Sequence, residues 1–225
     1  MGDEVFREQE GTAQEGTAQE GTAQEDDVPY EQSTAPGERF QYNNSGYYLL
    51  GVVIEKASGK SYEEYLAERI FKPLELKATY YDRPDRVIHN RANGYRRNGL
   101  GGVRNALYLD MSQPFSAGAI ASTVEDLVKW QRSLIKHQVI TEESWTAMIT
   151  PGKLNDGKSC LYGFGLFPGE SDGHKVIRHG GGINGFRSEL AYYPDHDITI
   201  AVLSNTEASQ PGRIAKQVPK HVLGQ

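Results

Sequence analysis

The periodicity of the chain changes at Pro151, and that change limits the folds open to it. Before Pro151, apolar residues recur at helical spacing in SGYYLLGVVIEKAS (45–58), SYEEYLAERIF (61–71), VEDLVKWQRSLIKH (124–137) and TEESWTAMI (141–149). After it, LYGFGLF, HKVIRHGG, FRSELAYYP and DITIAVLSN are short, rich in β-formers and separated by turns. Helices followed by a run of antiparallel strands argue for an α+β fold.

Punctuation agrees with that division. Asn44 or Ser45 is expected to cap the first helix, and Gly59 to stop it. That helix is apolar on nearly all sides, so a buried position is expected. Ser61 and Glu64 have the spacing of a capping box, and the second helix must end near Pro73. Thr123 should cap the third. Residues 80–116, rich in Gly, Asn and Arg, read as irregular, and residues 193–197 (YPDHD) as a hairpin turn.

Residues 10–24 are three tandem copies of EGTAQ. Such a repeat cannot bury enough apolar surface to offset the entropy of ordering, so residues 1–38 are expected to be a disordered acidic tail. Residues 39–225 remain for the folded part, helical to 150 and stranded from 151. The first 27 residues hold nine acids against one base, so the net charge of −6 belongs to the tail. The remainder is close to neutral and has no basic stripe, which argues against a nucleic-acid partner.

Cys160 is the single cysteine, excluding an internal disulfide and a CxxC metal knuckle. His174 and His179 lie five apart on a strand-like segment and face opposite sides, so no metal site and no cofactor is expected. No apolar run approaches the ~20 residues of a membrane span. The start at Met1 lacks the pattern of an export signal, and the sequence assigns no compartment.

Three motif matches fail on context. GKLNDGKS (152–159) fits the P-loop pattern, but the glycines of CLYGFGLF oppose the helix that must follow. Gly180, Gly182 and Gly185 fit G-x-G-x-x-G, yet FRSELAYYP after them reads as strand, so a nucleotide-binding function is disfavoured. Ser133-Leu-Ile-Lys136 fits S-x-x-K, but a helical wheel turns Ser133 away from the apolar face, towards water.

Residues 37–74 contain Tyr42-Asn43-Asn44 followed by a glycine-punctuated apolar helix. With FSAGAIASTVEDLVKWQRSLI (115–135) and His179-Gly180-Gly181, this order of landmarks resembles the serine β-lactamase-like family from about residue 36 to about residue 206. That family includes class C β-lactamases, D-alanyl-D-alanine carboxypeptidases and related penicillin-binding-protein-like esterases. The resemblance implies a β-lactamase/transpeptidase-like fold and acyl transfer through a serine ester. Its substrate would be a small molecule or peptide with a carbonyl group: a β-lactam, a D-Ala peptide or an ester.

By the same resemblance, Tyr42 would assist proton transfer at the nucleophile, a role that needs adjacent positive charge because a phenol titrates near pH ~10. Asn44 would present its amide to the substrate. His179 would stand where relatives carry a lysine, as a donor to a substrate carboxylate or the tyrosine. Gly181 and Gly182 would leave a strand edge unobstructed, and the Gly182 N–H would be one oxyanion donor. Plainer roles stay open: Tyr42 packing beside Phe40, Asn44 as a helix cap, His179 as a structural histidine.

The family's Ser-x-x-Lys lies upstream of Tyr-x-Asn, and residues 1–41 contain none; Ser33 is followed by Thr-Ala-Pro. The first strands and the nucleophile helix are therefore expected to be absent, and the segment around Pro219 to close the fold early. Such a chain should be inactive alone, expose apolar surface and self-associate. A non-catalytic ligand-binding or scaffold remnant of the same fold is the alternative.

Overall fold

A computed structural model describes residues 34–99 and 101–222, so the EGTAQ repeats and most of the expected tail lie outside the described residues. The fold described here is that of the unit Pro36–Gln225. Its first helix, α1 (Asn44–Ser58), is started by Asn43, whose side-chain oxygen accepts from the N–H groups of Ser45 (2.7 Å) and Gly46 (3.4 Å). The cap is thus Asn43, because it is the last residue with extended dihedrals (φ −145°, ψ 113°). Gly59, left-handed at φ 69°, ends the helix as expected.

The expected burial of α1 does not occur. Gly51 is its one buried residue, and Leu49, Leu50 and Val53 are 54–61% exposed. One side is fastened, since Ser116 Oγ donates to the carbonyls of Tyr47 (2.8 Å) and Tyr48 (3.0 Å). A Cβ on Gly51 would overlap Ser116 and Phe115, so glycine is what allows this approach. The other side has no covering element among the described residues.

Ser61 and Glu64 form the capping box of α2 (Tyr62–Leu66), which continues as a π turn (Ala67–Phe71) and stops before Pro73. Two small ladders organise the middle of the chain. β1 (Tyr80–Tyr81) pairs with β4 (Ile120–Ala121), and β2 (Tyr95–Arg97) with β3 (Val103–Asn105). Thr123 and Thr141 cap α3 (Val124–Ile135) and α4 (Glu142–Ile149) through side-chain oxygens.

Four antiparallel strands follow in sequence order: β5 (Phe167–Ser171), β6 (His174–Ile183), β7 (Phe186–Tyr193) and β8 (Ile198–Ser204). The expected strand over LYGFGLF contributes only Phe167. Leu161 (φ 56°) and Gly165 (φ 80°) are left-handed, which breaks an extended run. α5 (Pro211–Val222) closes the described chain with Pro219 inside it. Val176, Ala191, Tyr193 and Ile200 pack with Ala215 of α5 on one sheet face; Ile177 and Tyr192 pack with Leu134 and Trp145 of α3 and α4 on the other.

Ser133 corrects the helical wheel. It is 2% exposed, and its hydroxyl donates to the Trp130 carbonyl at 2.7 Å. α3 is buried over a wide arc, because it meets β8 on one side and residues 78–79 through Asp126 on another. Ser133 is a poor nucleophile because its hydroxyl is buried and spent on the backbone.

Candidate functional site

The site forms where β6 outruns its neighbour. Strand β5 opposes β6 only as far as Phe167↔Arg178, whereas β7 opposes it to Ile183↔Phe186. Two residues, Asn184 and Gly185 (φ 82°), close the β6–β7 hairpin. The closing pair exchanges hydrogen bonds, so every second residue back along β6 turns its N–H and C=O the other way. Gly182 and Gly180 therefore point their backbone groups away from β7, towards an edge that no described strand covers.

Side-chain alternation sorts the same residues between two faces. His179 and Gly181 share the face of Ile177, where α3 and α4 pack; Gly180 and Gly182 share that of Val176, towards α5. A Cβ on Gly181 would meet Ser188 Oγ at 2.5 Å, and one on Gly182 would meet Arg187 Nη1 at 2.7 Å. Gly181 thus keeps the His179 face low. What Gly182 offers that edge is backbone, its missing side chain belonging to the opposite face.

Above His179 stands a cluster of rings. Tyr42 lies 6.1 Å from His179 and 5.9 Å from Tyr162, centroid to centroid; Phe167 lies 5.4 Å from His179, and Phe40 5.5 Å from Tyr162. Tyr42 does pack in the company of Phe40, yet it is 45% exposed, with one side towards solvent. Burial, and then the neighbouring Tyr47, raises its pKa, so Tyr42 is a neutral phenol. Asn44, at the first position of α1, is exposed, and since Asn43 does the capping its amide is not needed there.

His179 has both ring nitrogens engaged. Nδ1 lies 2.7 Å from the Gly180 carbonyl and Nε2 3.2 Å from the Tyr162 hydroxyl. Burial first, then the neighbouring Tyr47 hydroxyl, pushes the Tyr162 pKa far up. Neither tyrosine was legible as a site residue. The one available signal was Tyr162-Gly163-x-Gly165, a glycine-marked turn in which a Cβ on Gly163 would collide with the Met148 carbonyl.

The disfavoured motifs hold no phosphate cradle. Residues 152–159 form a polar loop bridged by Lys153↔Ser159, with Lys158 Nζ 2.6 Å from Asp156, and no helix follows. Gly185 serves a hairpin. His174 contacts His196 (2.9 Å), on the face opposite His179. Among the described residues no three metal-ligating side chains converge, and no helix is long and apolar enough to cross a membrane.

Comparison with known proteins matches residues 16–222 to the family model described as Beta-lactamase. The chain is 33% identical to Penicillin-binding protein 4* of Bacillus subtilis (strain 168), covering 76% of this chain and 41% of that protein. It is 27% identical to the D-aminopeptidase of Brucella ovis, covering 78% and 33%. Among solved structures, the octameric penicillin-binding protein homologue from Pyrococcus abyssi superposes with a TM-score of 0.71 at 30% identity, over 86% of this chain and 44% of that one. A D-stereospecific amidohydrolase from Streptomyces sp. gives 0.72 at 26% identity, over 84% and 56%. The chain therefore spans well under two thirds of the relatives it matches.

Proposed function

The chain belongs to the Beta-lactamase family, and from that premise we propose that it carries the substrate-binding side of a serine acyl-transfer site. The observation that carries this reading is the uncovered edge of β6, with the Gly182 N–H turned outward beside His179 and Tyr42. A carbonyl compound lying along that edge would find Gly182 N–H as an oxyanion donor, a contribution worth ~10²–10³ in rate in comparable sites. Asn44 would supply an amide to the acyl group, and Gly181 would leave room for it. Tyr42 would shuttle the proton once a cation lies beside it. The relatives' names favour amides and peptides of D-amino acids and β-lactams, with esters as the nearest chemical neighbours.

The same reading holds that these 225 residues form no acyl-enzyme by themselves. Their one S-x-x-K has a buried hydroxyl bonded to Trp130. Treatment with a fluorescent penicillin and a fluorophosphonate, read by intact mass, is expected to leave every serine unmodified. A covalent adduct on any serine would overturn this part. A ligand-binding remnant is the second reading, supported by the intact edge; thermal stabilisation by D-Ala-D-Ala peptides without turnover is its expected result.

The exposed apolar side of α1 supports self-association. Sedimentation velocity showing a monomer at every concentration would remove that element.

A further inference from the structure

His179 cannot act as a donor to substrate in the arrangement described above. A carbonyl oxygen only accepts, so the 2.7 Å contact with Gly180 O requires the proton on Nδ1. A neutral imidazole then has a bare Nε2, and the Tyr162 hydroxyl 3.2 Å away must donate to it. The result is a directed pair of hydrogen bonds, Tyr162 to His179 to Gly180 O.

We propose that Tyr162 is a positioning residue that fixes His179 as the neutral Nδ1–H tautomer and holds its ring plane against the open edge of β6. Tyr162 is suited to this because it is anchored: it is 7% exposed and packs on Phe167 at 4.4 Å between ring centroids. The consequence for the groove is chemical. In this state His179 offers a bonded acceptor and a ring face, a wall that suits an uncharged amide or ester end better than a carboxylate.

Protonation of His179 reverses the bond to Tyr162 alone. The added proton goes to Nε2, which then donates to the Tyr162 hydroxyl. Tyr42 and Tyr162 are the titratable groups in ring contact with His179.

The inference rests on reading this edge as a substrate groove, but its test needs no turnover. Long-range ¹⁵N–¹H correlation spectra of the full chain, with His179 assigned through H179Q, report which nitrogen carries the proton. The wild type is expected to show Nδ1–H at pH values where His179 is neutral. Tyr162→Phe is expected to free the ring from the Gly180 carbonyl and so move the population towards Nε2–H, with a folded spectrum. An Nε2–H tautomer in the wild type would overturn the proposal without any variant, as would an unchanged tautomer in a folded Y162F. Serine labelling, by contrast, bears only on the acyl-transfer reading.

Discussion

At the scale of single residues, the three consecutive glycines of β6 are not equivalent. A Cβ on Gly180 would fall 2.7 Å from Glu189 Oε2 and 3.3 Å from the Ser188 carbonyl. Glu189 is 6% exposed and held by Arg178 (3.3 Å), so it has little room to retreat. Gly180→Ala is therefore expected to destabilise the fold by about 1–3 kcal/mol. Gly181→Ala and Gly182→Ala meet a rotatable hydroxyl and the far end of an arginine, and should cost less. Thermal or urea melts of the three variants check the order; a G180A that melts no lower than the other two would be inconsistent with it. The motifs Tyr42-x-Asn44 and His179-Gly-Gly were legible because their spacing is local, and the fold brings the Tyr42 and His179 rings within 6.1 Å. Tyr162 was not legible, since a tyrosine in an aperiodic loop 120 residues from Tyr42 carries no signal of where it will pack.

At the scale of elements, α3, α4 and β6 to β8 follow from period and caps, because their apolar stripes match the surfaces they cover. The burial of α1 departs from expectation, because composition states what a helix could bury and not whether a partner is present. α3 departs in the opposite sense. Its polar residues Asp126, Gln131 and Ser133 are buried, and apolar periodicity is blind to burial fixed by hydrogen bonds. Asp126 accepts from Ala78 N–H (2.8 Å) and the Thr79 hydroxyl (3.0 Å), which fastens α3 to the segment leading into β1. Asp126→Ala would leave both donors without that acceptor in a site with little access to water. The expected cost is about 2–4 kcal/mol, with Asp126→Asn recovering part of it through its remaining carbonyl oxygen. Chemical denaturation of both variants measures this; an alanine variant as stable as wild type would show that water replaces the carboxylate.

At the scale of the whole molecule, tyrosine is the residue on which the described core leans. Tyr42, Tyr62, Tyr81, Tyr162, Tyr192 and Tyr193 all have raised pKa values, and in each the first cause is burial. They sit in different layers: Tyr62 and Tyr81 against Phe115, Tyr162 in the ring cluster, Tyr192 and Tyr193 on the two sheet faces. In the unfolded chain these phenols titrate near pH ~10. Below that pH both states hold their protons, and the stability is fully present. Above it the unfolded chain releases protons first and binds fewer than the folded one, so the free energy of unfolding falls as pH rises. Tyr42 contributes least, because solvent screens its exposed side, and Tyr162, pushed up furthest, contributes most. Melting temperature is thus expected to hold up to about pH 10 and then drop steeply. Tyrosinate absorbance should rise in step with the loss of near-ultraviolet circular dichroism, as both report the same opening of the core. Ionisation of Tyr62, Tyr162, Tyr192 and Tyr193 near pH ~10 in a chain that stays folded would contradict this, since it would mean water already reaches phenols that the fold places inside.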